Sequence, residues 1–250
     1  MTTRRIVVIG GTSVIAQHVL RAWLAAGPAS VHLIGRHAQR LQDVQRDLTV
    51  RHPESHFTFE AVDLVDVDEI DRTVARMVAR TVDAGEPDIV LIAHGSLGSQ
   101  ETAQQDLRAA HEQLVVTGVS PALWLEAFAD RMTHGTLAIV GSVAGDRGRR
   151  SNYLYGAGKS LIEHVAQGLQ HRFASTELHI VLIKPGPTRT PMTDQLAQFG
   201  ARLADVQDVA ERIAAAVIAR RPVVYAPAVW RPIMAAVRSI PRPIFNRLDL

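Results

Sequence analysis

The stretch Ile6-Val-Val-Ile-Gly-Gly-Thr-Ser13 decides the fold, because a short apolar run ends at two glycines and a helix-length segment, Ile15–Ala26, follows. Continuous apolar runs of this length are typical of strands buried on both faces of a parallel sheet. The glycines allow a tight turn and a close approach of the backbone to a phosphate group, which the N-terminus of the following helix would favour. We therefore predict a first βα unit here, with a phosphate site in its loop as one interpretation and a plain tight turn as the other.

The rest of the chain repeats this rhythm, with short β-branched runs separated by helix-length amphipathic segments. The further predicted strands are Val31–Ile34, Phe57–Val62, Ile89–Ile92, Thr136–Val140, Leu178–Ile183 and Val223–Tyr225. Such alternation is typical of βαβ units, in which each crossover helix covers one face of a parallel sheet. The sequence predicts the α/β class: a single-domain, Rossmann-type, doubly wound parallel sheet of about seven strands with helices on both faces. No linker or repeat divides the chain, so we expect residues 1–228 to form one dinucleotide-binding and catalytic domain and residues 229–250 to form a C-terminal amphipathic helical tail.

The composition excludes several classes of protein. The 250 residues are 47% hydrophobic and 21% charged, which is enough apolar material for a packed core and too little charge for a disordered chain. The net charge of +2 is too small for a general nucleic-acid footprint, and the lack of cysteine excludes disulfides, thiolate metal sites and cysteine nucleophiles. No apolar run reaches the length of a spanning helix, and the one after the N-terminal arginines is too short for a signal peptide. We therefore expect a cytoplasmic protein without a metal centre that binds no nucleic acid.

The residue that follows the second predicted strand bears on the choice of cofactor. In dinucleotide-binding sheets an acidic residue at this position holds the ribose 2′-hydroxyl of NAD, whereas an arginine suits the 2′-phosphate of NADP. This chain has Arg36, which favours NADP(H) and leaves NAD(H) as the alternative; a plain exposed arginine is the other interpretation. Asp63, after the third strand, is a candidate acceptor for the adenine amino group, or else a cap for the helix that begins near Asp66.

A serine, a tyrosine and a lysine form the candidate catalytic set. Tyr155 and Lys159 are four residues apart in a segment, Ser151–Phe173, that is predicted to be helical, so their side chains lie on one face. Ser142 follows the fifth predicted strand. A nearby ammonium lowers the pKa of a phenol and makes it a proton donor or acceptor near neutral pH, while a serine hydroxyl orients a carbonyl or alcohol. With three tyrosines, two lysines and eleven serines in the chain, these spacings arise by accident roughly 0.001 times.

On these motifs the chain resembles the short-chain dehydrogenase/reductase superfamily, from the glycine loop through Tyr155-Gly-Ala-Gly-Lys159 to Pro185-Gly-Pro-Thr-Arg-Thr190. The resemblance implies that Tyr155 is the general acid or base, that Ser142 binds the reacting oxygen, and that Lys159 holds the nicotinamide ribose and tunes the tyrosine. It also implies that the segment 185–190 closes on the nicotinamide. The cofactor-binding residues expected from the motifs and the resemblance together are Gly10, Gly11, Thr12, Ser13, Ile15, Arg36, Asp63, Leu64, Ala93, Gly95, Tyr155, Lys159, Pro185, Gly186, Thr188 and Thr190.

Three features depart from the pattern of this superfamily. Ile92-Ala-His-Gly95 stands where the family usually has Asn-Asn-Ala-Gly, and Val115 replaces an asparagine that supports the lysine through water in many members. Val14 and Ala16 occupy the positions of the second and third loop glycines. Proton relay is therefore expected to run differently, whereas hydride transfer needs none of these residues directly. We interpret His94 as a hydrogen-bonded structural histidine near the cofactor rather than as a catalytic one.

Two basic segments suggest what the substrate carries. Three arginines, Arg147, Arg149 and Arg150, lie between the serine and the tyrosine in a segment that usually borders the substrate, and guanidinium groups suit an anion such as a phosphate. The alternative is a solvated turn in an arginine-rich protein. In the tail, Arg231 and Arg238 flank an apolar helical stripe that consists of Trp230, Ile233, Met234 and Val237. Such an element packs on the domain, pairs with a second subunit, or lies on a membrane surface with anionic lipid.

The glycine loop, the basic segment and the tail together resemble one branch of the superfamily, the reductases of decaprenylphosphoryl-2-keto-β-D-erythro-pentose. This resemblance implies NAD(P)H-dependent reduction of the 2-keto sugar of a polyprenyl phosphate to decaprenylphosphoryl-D-arabinose, a precursor of cell-wall arabinan. It further implies a partner oxidase that supplies the keto intermediate and peripheral contact with the inner face of the cell membrane. We also expect a homo-oligomer.

The residues alone indicate a carbonyl-reductase site with a basic border, so two alternatives stay open. The first is an NAD(P)-dependent alcohol dehydrogenase that acts on a small non-lipid substrate. The second is a non-catalytic dinucleotide-binding or regulatory protein, which the intact catalytic set opposes.

Overall fold

Seven strands form one parallel sheet in the computed structural model, which describes residues 3–79, 85–193 and 202–248. The strands are β1 Arg4–Ile9, β2 Ala29–Gly35, β3 His56–Ala61, β4 Ile89–Ile92, β5 His134–Val140, β6 Glu177–Pro185 and β7 Val223–Ala226. Their order across the sheet is β3-β2-β1-β4-β5-β6-β7, and every neighbouring pair is parallel. This confirms the doubly wound sheet predicted from the apolar runs, with each predicted strand end within two residues of the observed one.

Helices connect the strands and cover both faces of the sheet. They are α1 Val14–Ala25, α2 Ala38–Arg51, α3 Val67–Val78, α4 Gln100–Gln105, α5 Leu107–Leu114, α6 Ser120–Arg131, α7 Tyr153–Arg172, α8 Val206–Ile218, α9 Trp230–Ser239 and α10 Arg242–Phe245. A π-helical turn, Val115–Val119, joins α5 to α6, and short 3-10 turns occupy Val143–Asp146 and Pro191–Thr193. Among the helices of the described ranges, none has the length and apolar character needed to cross a membrane.

The core lies in two layers because successive side chains of a strand point to opposite faces of the sheet. Ile6 and Val8 of β1 pack with the buried faces of α1, α2 and α8, while Val7 and Ile9 pack with those of α3, α6 and α7. All four side chains are at most 3% exposed. Each such side chain stabilises the fold by roughly 1.5–3 kcal/mol through burial, so strand runs without polar residues are what a sheet covered on both faces requires.

The strand order places the functional crevice. β1 lies between β2 and β4, so the winding of the chain reverses direction at the carboxyl end of β1. In open α/β sheets ligands bind in the crevice at such a reversal. Gly10, Arg36, Ala93 and Ser142 follow the ends of β1, β2, β4 and β5 respectively and therefore meet at this edge of the sheet.

The C-terminal tail packs on the domain. Met234 of α9 is 2% exposed, and α9 contacts both β7 and the 3-10 turn Val143–Asp146. Trp230 lies so close to Gly186 that a Cβ atom added at that glycine would be 1.9 Å from the indole Nε1. Of the three interpretations of the apolar stripe, packing on the domain accounts for these two residues. The division into residues 1–228 and 229–250 stays a prediction, and its outermost residues, 1, 2, 249 and 250, lie outside the described residues.

Candidate active site

The turn after β1 brings the backbone of two loops into contact. The N–H groups of Gly10 and Gly11 both donate to the carbonyl oxygen of Ile34, at 2.8 and 2.9 Å. Gly10 has a φ of +85°, and a Cβ atom there would lie 2.7 Å from the backbone nitrogen of His94. Only glycine fits this position, because a side chain would strain the backbone and collide with the loop after β4.

Helix α1 begins directly at this turn. The hydroxyl oxygen of Ser13 accepts a hydrogen bond from the N–H of Ala16 at 3.4 Å and so caps the helix. Ala16, at the position of a family glycine, is fully buried against the sheet, so a methyl group is accommodated there. The loop therefore keeps the helix N-terminus aimed at the crevice although it has fewer glycines than the usual fingerprint.

A cleft of about 470 Å³ lies along the carboxyl edge of the sheet. Its walls include Ser142 and every predicted cofactor residue except Gly11 and Asp63. Gly11 lies beneath the cleft, where a Cβ atom would be 3.0 Å from Cβ of Leu33. His37 and Arg40 also line the cleft beside Arg36, so that end of the cleft is basic.

Asp63 lines an adjoining cavity, which also includes Arg36. Its carboxylate accepts a hydrogen bond from the N–H of Val65 at 3.0 Å, whereas helix α3 is capped by Asp66, whose carboxylate accepts from Glu69 N–H. Asp63 therefore shapes the loop after β3 and does not cap the helix. Its contact with adenine stays a prediction.

The catalytic candidates meet in the cleft as their spacing predicts. Tyr155 and Lys159 lie one turn apart on α7, with the ammonium nitrogen 5.8 Å from the centroid of the phenol ring. That nitrogen donates a hydrogen bond to the carbonyl oxygen of Val140 at 2.8 Å. Ser142 opens the 3-10 turn, and its hydroxyl oxygen accepts from the N–H of Ala144 at 3.1 Å. All three side chains line the same cleft.

The pKa of Tyr155 corrects one expectation. Burial raises the pKa of Tyr155 above that of free tyrosine, and the hydrogen bond with Ser142 acts in the opposite direction. The spacing predicts that the lysine lowers the phenol pKa, but the Lys159 ammonium is directed at the Val140 carbonyl. Burial also lowers the pKa of Lys159 from 10.5 to about 8. Burial disfavours the charged form of each group and is the main cause of both pKa shifts.

His94 is held as a structural group in the cleft wall. Its Nε2 lies 2.8 Å from the hydroxyl oxygen of Ser120, which in turn donates to the carbonyl oxygen of Leu64 at 2.5 Å. Nε2 therefore donates to Ser120, because the only proton of the hydroxyl is already used. Burial, with smaller contributions from the charges of Lys159 and Arg36, lowers the pKa of His94 to about 3. The ring is neutral at physiological pH and connects the loop after β4 to the loop after β3.

Val115, which stands where many members of the superfamily have an asparagine, begins the π-helical turn. Thr117 in this turn is fully buried, and its hydroxyl donates to the carbonyl oxygen of Ser96 at 2.7 Å. The backbone of Gly118 is so close to α7 that a Cβ atom would lie 2.8 Å from Cα of Gly158. The turn thus fixes the loop after β4 and packs directly against the helix that carries Lys159.

Arg147 attaches the tail to the active-site loop. Its Nη1 donates to the carbonyl oxygens of Val237 and Ile240, at 2.5 and 2.7 Å, and its guanidinium lies 3.7 Å from the ring centroid of Phe245. These contacts engage carbonyl groups at and just beyond the C-terminus of α9. The expectation that Arg147 also binds the substrate stays a prediction.

The other predicted arginines differ in their surroundings. Arg149 is half-buried, its Nε lacks a hydrogen-bond partner among the described residues, and burial lowers its pKa. Arg150, Arg231 and Arg238 are exposed. Of the five, Arg149 is the one with an unpartnered Nε, and none of the five is among the residues that line the cleft.

Two functional candidates were missed from the sequence. Lys184, which precedes Pro185, is 1% exposed and is held by Asp146 and Glu163. Trp230 covers Gly186 of the same loop. That Lys184 is one of only two lysines, next to a loop already singled out, was a signal. The contacts themselves join segments far apart in the chain and had no local signal.

Comparison with known proteins agrees with this geometry. A family model described as short chain dehydrogenase matches residues 4–200. An uncharacterised oxidoreductase of Streptomyces coelicolor is 30% identical over 249 residues, covering 98% of this chain and 96% of its own. An uncharacterised oxidoreductase of Mycobacterium tuberculosis strain H37Rv is 32% identical over 252 residues, covering 97% and 96%.

Solved structures share the fold. A short chain dehydrogenase from Burkholderia cenocepacia, in complex with NADP, superposes with a TM-score of 0.80 at 18% identity and covers 99% of this chain and 98% of its own. A short-chain type dehydrogenase/reductase from Mycobacterium ulcerans gives a TM-score of 0.77 at 24% identity, covering 90% and 89%.

Proposed function

Since the chain belongs to the short-chain dehydrogenase family, whose members are NAD(P)-dependent oxidoreductases acting on CH–OH and C=O groups, we propose that it is an NADPH-dependent carbonyl reductase. The observation that carries the proposal is one cleft whose walls include Ser142, Tyr155 and Lys159 together with Arg36 and Arg40. Reversal of the reaction, as an alcohol dehydrogenase, would use the same residues. A non-catalytic dinucleotide-binding role would leave the complete set without a purpose.

The residues present fit an NADP molecule. Gly10 packs directly against the His94 backbone, so no side chain at this position separates the turn from the cleft. The N-terminus of α1 favours the negative charge of the pyrophosphate. Arg36 and Arg40 are exposed, and within the described ranges neither has an ion pair. Their guanidinium groups suit a 2′-phosphate, and no carboxylate follows β2 directly to hold a 2′-hydroxyl.

The mechanism follows from the protonation states in the cleft. NADPH supplies, when bound, a hydride for the carbonyl carbon. Tyr155 donates its phenolic proton to the carbonyl oxygen, and burial, by raising its pKa, keeps that proton in place at neutral pH. Ser142 donates a hydrogen bond to the same oxygen and orients it. Lys159 would hold the nicotinamide ribose, with its ammonium oriented by the hydrogen bond that it donates to the Val140 carbonyl oxygen.

The Arg36→Asp variant tests the cofactor choice. We expect the dissociation constant for NADPH to rise about tenfold or more, because one charge-assisted hydrogen bond of roughly 1.5–3 kcal/mol is lost and a like charge is added. Affinity for NADH should change little or improve. Fluorescence titration of both cofactors measures the change, with Arg46→Asp, an exposed position of α2 outside the cleft, as the matched control. Equal affinities of the wild-type protein for NADPH and NADH would contradict the assignment.

We further propose that the keto substrate is anionic and lipid-linked, as in the polyprenyl-phosphate 2-keto pentoses of the resembled branch. Arg149 supports the anionic group, because a half-buried guanidinium gains most from a phosphate when no protein carboxylate neutralises it. Such a substrate requires an oxidase that forms the keto group before this enzyme reduces it.

The tail supports the lipid part of this proposal. Residues 229–248 contain four arginines and no acidic residue, and all four, Arg231, Arg238, Arg242 and Arg247, are exposed. Several apolar side chains of the tail are exposed as well, namely Val229, Ile233, Ile244 and Leu248. Exposed apolar groups beside arginines suit an anionic lipid surface, to which each basic residue contributes about 1 kcal/mol. Peripheral contact with a membrane would place the active site near a lipid-linked substrate.

One set of measurements tests both parts of the substrate proposal. For Arg149→Met we expect KM for dihydroxyacetone phosphate to rise about tenfold or more, with little change for dihydroxyacetone, because only the first ligand carries the group that Arg149 binds. For Arg231→Gln/Arg238→Gln we expect about thirtyfold weaker binding to phosphatidylglycerol vesicles, with Arg46→Gln/Arg108→Gln as the matched control.

Equal losses on both ketones would leave Arg149 a structural residue. If the tail variant also binds anionic and phosphatidylcholine vesicles as the wild-type protein does, the small-molecule dehydrogenase replaces the lipid-linked proposal.

We also propose that the protein is a homo-oligomer. Several large apolar side chains on the neighbouring helices α5, α6 and α7 and the π-helical turn are exposed, namely Leu107, Val119, Leu123 and Leu161. Burial of such side chains against a second copy of the chain would stabilise an assembly.

A further inference from the structure

A buried charge cluster lies directly behind the active-site loops. Lys184 of β6 donates to a carboxylate oxygen of Asp146 at 2.5 Å and to one of Glu163 at 2.7 Å. The side chains of these three residues are 2%, 0% and 14% exposed. The hydroxyl of Tyr225, the partner of Lys184 in the β6–β7 register, donates to Asp146 at 3.3 Å, and its ring centroid is 5.3 Å from the ammonium. We call these four residues the Lys184 cluster.

The carboxylate partners keep Lys184 charged in the Lys184 cluster. Burial alone would lower the pKa of Lys184, but the hydrogen bonds to Asp146 and Glu163 outweigh burial and raise it. A buried ion pair of this kind contributes little net stability compared with apolar side chains of the same shape, whereas removal of one partner is costly. Its value to the protein therefore lies in fixing one arrangement of the segments that it joins.

Those segments carry the catalytic groups. Asp146 ends the four-residue 3-10 turn that Ser142 opens. Glu163 lies one helical turn beyond Lys159 on α7. Lys184 directly precedes Pro185 and the loop that lines the cleft. The cluster is thus the one point at which the serine turn, the catalytic helix and that loop share hydrogen bonds within the described ranges.

The serine turn depends on this anchor more than the helix does. Helix α7 is fixed by its own buried face, with Ile162, Ala166 and Leu169 in the core. The 3-10 turn has only four residues, and at Gly145 it lies so close to α7 that a Cβ atom would be 3.0 Å from the Lys159 carbonyl carbon. Movement of Asp146 would therefore shift the turn against the helix and displace the Ser142 hydroxyl from the substrate oxygen.

We propose that Asp146, held by Lys184 and Tyr225, is a positioning residue that sets the Ser142 hydroxyl for the reduction. This inference rests on the proposed reductase function and adds to it a group that does not touch the substrate. A misplacement of about 1 Å at a reacting group costs about 10²-fold in rate.

The test compares two carboxylate deletions on the same ammonium. Asp146→Asn is expected to lower kcat at least tenfold, with KM and the NADPH dissociation constant within about twofold of wild type. Glu163→Gln removes the other carboxylate bonded to Lys184 but leaves the turn anchored, so kcat should stay within about twofold. Urea unfolding of both variants shows whether they are equally folded. Equal losses of kcat in the two variants would overturn the proposal.

A double-mutant cycle adds a readout that a purely structural role would not produce. If Asp146 acts through Ser142, the Ser142→Ala/Asp146→Asn variant should have the kcat of Ser142→Ala alone. Multiplied losses would overturn the positioning role. An assay of the wild-type protein with NADPH and either dihydroxyacetone phosphate or dihydroxyacetone distinguishes failure of the proposed function from failure of this inference. No reduction of either ketone contradicts the proposed function, whereas wild-type turnover with an unaffected Asp146→Asn variant contradicts only this inference.

Discussion

Tyr155→Phe is expected to lower kcat about 10³-fold and to leave NADPH affinity unchanged. The variant keeps the ring, which is half-buried in the cleft wall, and loses only the hydroxyl that donates the proton. General acid catalysis by one positioned group contributes about 10²–10⁴-fold, which sets the size of the loss. Single-turnover reduction and cofactor titration measure the two quantities separately.

A second tyrosine in the same helix provides the control. Tyr153 is the first residue of α7, is 42% exposed and does not line the cleft. Tyr153→Phe should keep wild-type kcat. Should Tyr155→Phe retain more than a few per cent of activity, Tyr155 is not the proton donor and another group of the cleft must supply the proton.

Lys159→Met is expected to abolish most activity and yet to stabilise the fold at neutral pH. Burial lowers the pKa of Lys159 from 10.5 to about 8, so the unfolded chain holds this proton more tightly than the folded one. The buried ammonium therefore lowers the free energy of unfolding. This destabilisation is fully present below about pH 8 and disappears as the pH rises towards 10.5. We expect the variant to gain about 2 kcal/mol at pH 7, after allowance for the lost hydrogen bond to Val140, and to lose this advantage near pH 10.

The other lysine of the chain has the opposite environment and serves as the matched comparison. Lys184 is bonded to two carboxylates that raise its pKa, so Lys184→Met should destabilise the protein by about 3–5 kcal/mol at pH 7. Urea unfolding at pH 7 and pH 10 measures both variants. A Lys159→Met protein that is less stable than wild type at both pH values would show that this ammonium does not strain the fold.

The sequence predicted the parts of the molecule that local patterns determine. Apolar runs such as Ile89–Ile92 locate buried strands because nearly every residue in them faces a covered side of the sheet. Tyr155 and Lys159 could be paired because helical spacing alone puts them on one face. The glycine turn was predicted for the same reason, since the requirement for Gly10 comes from its own backbone.

The remaining features depend on contacts between distant segments. The direction of the Tyr155 pKa follows from burial, which the spacing to Lys159 does not reveal. The contact of Arg147 with the tail had no local signal, because the carbonyl group of Val237 that accepts from its Nη1 lies about ninety residues further along the chain. The Lys184 cluster joins four elements in the same way, namely the 3-10 turn, α7, β6 and β7. Sequence spacing carries no information on such pairings.

The attachment of the tail through Arg147, together with the packing of Trp230 on Gly186, has a consequence for biosynthesis. Residues 230–240 are synthesised well after the loops that they contact, so the cleft is completed only once this later segment has folded back onto the domain. A nascent chain that has emerged only as far as Val229 carries Ser142, Tyr155 and Lys159 and still has an unfinished cleft.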